Sequence, residues 1–327
     1  MTNIYQNTTQ APQTLGQSDT SSTSHATITP KIHPTKNTLT TGIVLALLSN
    51  VLFGVLYAYG KWLTPLSGTD VFLWRMVMMW ACLGLFLLIS GKFGVVIADL
   101  KAVKGLKSWF WLLLPTPIFA SQLWLFMWAP INGHGVAVSM GYFLFPLVMV
   151  MVGALMGERL ARLQWIAVGL AGLGVAFEIV RTGQVSLATF WVCLTYPIYY
   201  VIRRKQGVRA LTGLWLDVSL IAPVCLLVLI NNDAAWGQVL GSGALFAKAV
   251  GLGVISVLAL QFNLEANRLL PTSLFGMLGY FEPALLFLLS VTVLGGVFSV
   301  GMLLSFGLIW AGIACLVGWG LMKNNKC

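Results

Sequence analysis

GIVLALLSNVLFGVLYAYG, residues 42–60, runs for 19 residues without one charged side chain. At a rise of about 1.5 Å per residue a helix of this length covers roughly 28 Å, close to the thickness of a bilayer's hydrocarbon core. Backbone groups in hydrocarbon have no water to bond, so a spanning chain is either helical or a closed barrel. A barrel would show alternating segments of about ten residues; the apolar runs here are long and continuous. The same texture fills the chain. Of 327 residues 58% are hydrophobic and 9% charged, against roughly a quarter charged in soluble domains. Spans are read near 41–60, 70–90, 109–129, 135–156, 163–180, 185–202, 211–230, 246–266, 272–294 and 298–321. The predicted fold class is an all-α membrane protein of ten transmembrane helices.

The net charge of +10 does not point to nucleic acid, because the basic residues lie between apolar runs rather than on one folded face. They orient the chain instead. With ten spans, Lys31, Lys36, Lys92, Lys101, Lys104, Lys107, Arg159, Arg162, Arg203, Arg204, Lys205, Arg209, Arg268, Lys323 and Lys326 share one side. Lys61 and Arg181 lie on the other, and Arg75 and Lys248 fall within spans. Fifteen against two places both termini in the cytoplasm of a multi-pass plasma-membrane protein, the inner membrane in a bacterium. Residues 1–38 are rich in Thr, Ser, Gln and Asn and read as a disordered tail. No short apolar segment precedes the first span, so no cleavable signal peptide is expected. The five cysteines and three histidines form neither a disulfide framework nor a metal cluster, and no cofactor is expected.

The halves share a pattern. Gly141, Tyr142, Phe143, Gly157, Gly169, Gly174 and Ala176 recur 138 residues later as Gly279, Tyr280, Phe281, Gly295, Gly307, Gly312 and Ala314. This divides the chain into a tail (1–38), a first five-helix repeat (39–183), a second (184–321) and a C-terminal tail (322–327). Five is odd, so the second repeat enters the membrane inverted, an arrangement typical of secondary transporters working by alternating access.

The segments GYFLFP (141–146), GERL (157–160) and GYFEP (279–283) resemble the EamA domain of the drug/metabolite transporter superfamily. LFGVLYAYGK (52–61), FLWRM (72–76), LWLFMWAPINGH (123–134), MGYFLFPLVMVMVGALMGERL (140–160) and QWIAV (164–168) resemble, more narrowly, the RarD-like permeases. The resemblance covers about residues 40–321. It implies two EamA halves and movement of a small organic solute, with an association with chloramphenicol handling. The chain departs from that pattern at Gly295-Gly296, where the group has a Gly-Glu pair, at Gly135–Ala137, which lack an acid, and at Phe145, where an Asn is expected.

Ionisable residues inside spans cost about 2.5 kcal/mol or more at the helix centre, so each needs a reason. Glu282 lies ten residues into the ninth span, roughly 15 Å deep, near the midplane where transporter sites sit. Pro283 follows it, as Pro146 sits in the fourth span, and both read as helix breaks. Glu282 is a candidate proton or substrate site; the alternative is a protonated structural glutamate. Tyr142, Tyr280, Gln122, Trp124, Asn263 and Arg75 are further candidates for the cavity. Arg75 could meet Glu178, and Asp217 could meet the basic run Arg203–Lys205, as gates or as anchors. Gly153 and Gly157 read as a small-residue packing pair, and Glu158-Arg159 as a helix-end pair. There is no H-E-x-x-H, nucleotide-binding glycine loop or Ser/His/Asp grouping, so no enzyme is expected. The expected partners are a small-molecule substrate and the lipid bilayer; a lipid flippase or scramblase of the same fold is the alternative function. Reporter fusions at Lys36 and Lys323 should be active only with cytoplasmic-facing reporters; a periplasmic-type signal at either end would overturn the helix count.

Overall fold

The structure is a computed structural model that describes residues 36–132, 134–183 and 186–282, together with ten helical positions between residues 285 and 315. The described residues form α-helices and no strand. The tail read at 1–38 lies outside them except for its last three residues, which already belong to α1 (Lys36–Trp62). α2 (Gly68–Ile89) follows, then α3 (Phe93–Ala102), α4 (Leu106–Leu113), α5 (Thr116–Trp128), α6 (Gly135–Leu155) and α7 (Arg162–Thr182). The second part holds α8 (Leu187–Gln206), α9 (Ala210–Ile230), α10 (Asp233–Leu240), α11 (Gly243–Leu269) and α12 (Thr272–Leu278). Among the described residues seven helical stretches are long and apolar enough to cross a membrane. They match the predicted spans one to five, seven and eight. The sixth corresponds to α8, too polar to be counted with them. The ninth begins as α12, and most of its remainder and of the tenth lies outside the described residues, as does Pro283.

Local signals explain the boundaries. Ser67 caps α2, its hydroxyl accepting from the Asp70 N–H at 3.2 Å while the Asp70 carboxylate accepts from the Ser67 N–H at 3.3 Å, a reciprocal capping box. The third predicted span is two helices, α4 and α5, because Pro115 and Pro117 withdraw backbone donors at the junction. The expected break at Pro146 does not occur: α6 continues through it. A proline removes one ladder bond, and packing against neighbouring helices lets a membrane helix tolerate that. Two short helices, α3 and α10, were not predicted, since neither is long enough to span.

α1, α2, α8, α9 and α11 supply most of the main core, with Leu56, Met76, Met79, Leu83, Tyr199, Leu214 and Leu252 buried in it. α1 lies along α11, α2 is wedged between α9 and α11, and α6 packs on α8 and α12. Lipid is as apolar as leucine, so helices associate through close packing rather than water exclusion. Gly253 on α11 is such a contact: a Cβ there would stand 2.7 Å from the Met78 Cβ and 2.8 Å from the Met78 carbonyl carbon. Only part of the Gly153–Gly157 reading holds. Gly153 does pack closely, with a Cβ placed 2.8 Å from the Ser273 amide nitrogen, but Gly157 has open space around it and φ of +88°. It ends the helix in a left-handed turn that other residues rarely adopt.

Gly253→Ala should therefore lower the melting temperature of the detergent-solubilised protein, an overpacking cost of about 1–3 kcal/mol. Gly169→Ala, on α7 with nothing within 4 Å of the added carbon, should leave it unchanged or raise it through helix propensity. Equal responses would contradict the α2–α11 packing.

Candidate functional site

The site is built around Arg75, eight residues into α2 and completely buried. Its Nε donates to the Ser256 hydroxyl on α11 at 2.8 Å, and its guanidinium carbon lies 5.8 Å from the centre of the Phe126 ring on α5. Both η nitrogens lack a hydrogen-bond partner. The groups that interact with it electrostatically are Tyr196 on α8 and Tyr142 on α6. A buried charge is normally paired, so an arginine with both η nitrogens idle stands out.

Aromatic rings enclose this position. Phe126 meets Tyr142 edge-on at 5.9 Å, and Tyr142 meets Tyr196 at 6.4 Å. Tyr57 on α1 adds to Phe126 at 6.3 Å, and Tyr196 continues through Tyr200 at 4.9 Å to Phe275 on α12. Glu282 is partly buried and interacts electrostatically with Tyr142, Tyr196 and Tyr200. Arg75 and Glu282 thus share Tyr142 and Tyr196 as neighbours without forming an ion pair among the described residues. Gln122, one turn before Phe126 on α5, donates to Thr195 at 2.8 Å and keeps a buried carbonyl oxygen without a partner.

The other expected residues are placed differently. Asn263 accepts from the Tyr200 hydroxyl at 2.6 Å and donates to Ser49 at 3.3 Å, tying α1, α8 and α11 together. Trp124 is engaged with Thr69 and stacked on Trp128 at 4.9 Å. Tyr280 is buried in a separate cluster with Met140, Phe143, Ala171 and Val175, its hydroxyl without a partner. Glu178 does not meet Arg75. It pairs with Arg181, one turn further along its own helix, because similar depth in the membrane does not make two helices neighbours. Asp217 does meet the basic run. It is fully buried and accepts from Arg203, from Thr116 at 2.6 Å and from Tyr199 at 3.1 Å.

Glu158 is not a helix-end partner of Arg159. Its carboxylate reaches across to the start of α12 and accepts from the Thr272 N–H at 2.6 Å, the Ser273 N–H at 2.8 Å and the Ser273 hydroxyl. Arg204 joins the same junction, donating to the Thr272 hydroxyl at 2.6 Å and to the Leu270 carbonyl. Free amides at a helix start favour a carboxylate. Sequence reasoning missed this clamp, as it missed Ser256, Phe126, Tyr196 and Tyr200. For the tyrosines there was a signal, TYPIYY at 195–200, an unusually polar run for a spanning helix.

No family model matches the chain. An "Uncharacterized transporter" of Haemophilus influenzae is 38% identical over 293 residues, 88% of this chain and 97% of that protein. The "Chloramphenicol-sensitive protein RarD" of Pseudomonas aeruginosa is 36% identical over 292 residues, 85% of this chain and 93% of its own length. "Protein RarD" of Salmonella typhi is 29% identical over 288 residues, 87% of this chain and 97% of its own. One solved crystal structure aligns with a TM-score of 0.57 at 18% identity, covering 84% of this chain and 96% of that one, which is a likeness of fold alone. Long apolar helices and relatives of this kind define a multi-pass membrane transporter. Within that class the chain belongs to the RarD-like permeases.

The Glu158 clamp has a pH signature. Burial raises its carboxyl pKa, but the hydrogen bonds from Ser273 and Thr272 outweigh this and hold it below the ordinary value of 4.5. The clamp therefore contributes fully above that ordinary value and is lost as pH falls through the depressed one. Glu158→Gln should melt below the wild type at pH 7, and the gap should close on acidification below about pH 4.5. A gap that is constant with pH would show that the ionised carboxylate adds nothing.

Proposed function

We propose that this permease moves a small organic solute by alternating access and couples the movement to a proton carried on Glu282. Both termini lie in the cytoplasm, and the solute enters the space between α2, α5, α6, α8 and α11. The observation that carries this reading is the shared environment of Arg75 and Glu282. An acid and a guanidinium cation stand beside the same two tyrosines, in a bundle whose relatives are named as transporters. A spanning carboxyl group is expensive, and a proton relay gives it a reason to be there. The two inner junctions, Asp217 with Arg203 and Glu158 with the start of α12, serve as the cytoplasmic closure. Breaking and remaking such contacts against a common site is what alternating access requires. Transporter names among the relatives also favour solute movement over catalysis, and nothing favours a lipid substrate.

Glu282→Gln keeps the side chain's shape and hydrogen-bonding capacity but cannot take part in proton exchange. In proteoliposomes screened with a panel of metabolites and drugs, beside a fluorescent-lipid control, the variant should insert normally and lose net transport. Its residual activity should not vary with pH. Wild-type rates for the variant across pH 6 to 8 would remove Glu282 from the coupling step. Movement of the lipid probe with no solute transported would replace the reading with a flippase or scramblase.

A further inference from the structure

We infer that the solute carries a carboxylate, bound end-on by the two η nitrogens of Arg75, with its apolar or aromatic body against Phe126, Tyr142 and Tyr196. This rests on the proposed transport function and names the class of solute. Ser256 holds the Nε of Arg75 at 2.8 Å, which fixes the plane of the guanidinium and leaves the paired η N–H groups as a fork. Both η nitrogens are orphaned on a side chain with 0% exposure. A carboxylate matches such a fork with two parallel hydrogen bonds.

Among the described residues no acid forms an ion pair or a hydrogen bond with Arg75. Asp217 is taken by Arg203, Glu178 by Arg181, Glu265 by Arg268 and Asp99 by Arg209, while Glu158 caps α12 and Asp70 caps α2. Glu282 interacts with the surrounding tyrosines and leaves the η nitrogens unpaired. The single cation at this position also selects by charge. One carboxylate neutralises it, whereas a doubly charged phosphate monoester would leave excess negative charge in a medium that penalises it. Edge-on rings at 5.9 and 6.4 Å separations suit a planar apolar body, since aromatic groups prefer edge-to-face and offset contacts.

The test uses the full-length protein in nanodiscs and three probes of one shape: phenylacetate, phenylacetamide and phenyl phosphate. Melting temperature and tryptophan fluorescence are followed as each probe is titrated. Phenylacetate should bind and raise the melting temperature, with phenylacetamide and phenyl phosphate at least tenfold weaker. Arg75→Gln should weaken phenylacetate at least tenfold while leaving phenylacetamide unchanged. Arg75→Lys should fall between, since an ammonium keeps the charge but lacks the fork. Ligand-free Arg75→Gln should melt no lower than wild type, because it removes an uncompensated buried charge. If Arg75→Gln does not fold, the three probes on the wild type and on Arg75→Lys decide the matter alone. Failure of phenylacetate to bind, equal binding of the amide, tighter binding of the phosphate, or undiminished binding by Arg75→Gln would each overturn the inference. None of these outcomes touches the Glu282 transport experiment, so the solute class and the transport function fail separately.

Discussion

The arrangement of one end of the bundle hangs on the buried pair of Arg203 and Asp217. Two charges taken out of water must be matched by geometry and by further hydrogen bonds, and here both η nitrogens of Arg203 are, although its Nε lacks a partner. Asp217 accepts from Thr116 and Tyr199 as well as from Arg203. Arg203 also donates to the Leu112 carbonyl and to Gln206, which in turn donates to the Trp111 carbonyl. One pair thereby joins α4, α5, α8 and α9. It also sets the rotation of α8. Tyr196, Tyr199 and Tyr200 precede Arg203 by seven, four and three residues, the spacing of a single helix face. Locking Arg203 onto Asp217 turns that face inward and delivers Tyr196 to Arg75.

Arg75 and Arg203 are the same side chain under opposite treatment. Both are buried, yet Arg203 is compensated by an acid and two acceptors while Arg75 has one hydroxyl and a ring face. The folded protein gains nothing from leaving donors idle at such depth. Strain of that kind accumulates where a protein binds something, and the positive edge and negative face of nearby rings soften the cost without removing it. The position of Gln122 fits the same pattern, with a carbonyl oxygen left unpaired one turn from Phe126.

Hydropathy made the spans legible, because hydrocarbon tests every residue of a spanning helix in the same way. It could not show that Pro115 would split the third span, since a two-helix crossing and a single one have the same composition. It also could not show α3 and α10, which lie between spans. Among site residues, depth was readable but adjacency was not. Depth suggested both Asp217 with the basic run and Arg75 with Glu178. The first pair forms because α9 follows α8 across a short turn at Gly207, which brings Arg203 near the end of one helix beside Asp217, fourteen residues later, on the next. The second does not, because α2 and α7 are not among the closely packed helix pairs, and Glu178 is met instead by Arg181 one turn along its own helix. Glu158 was misread for the same reason: its partners lie 114 and 115 residues away, and no local pattern announces them.

The helix that hydropathy ranks lowest illustrates what a polar face in a membrane means. α8 has 20 residues, long enough at about 1.5 Å each to cross the hydrocarbon core. Apart from Lys205 at its last turn, its exposed side chains are Leu187, Phe190, Trp191, Leu194 and Ile198, while Tyr196, Tyr199, Tyr200, Arg203 and Gln206 are buried. That is the reverse of a helix on a soluble protein, with the apolar face outward and the polar face in. Only a solvent of hydrocarbon makes this distribution favourable. The low hydropathy of α8 therefore reflects one polar face turned toward the candidate site. The residues that weaken the spanning signal are the ones that hold Asp217, support Asn263 and stand beside Arg75.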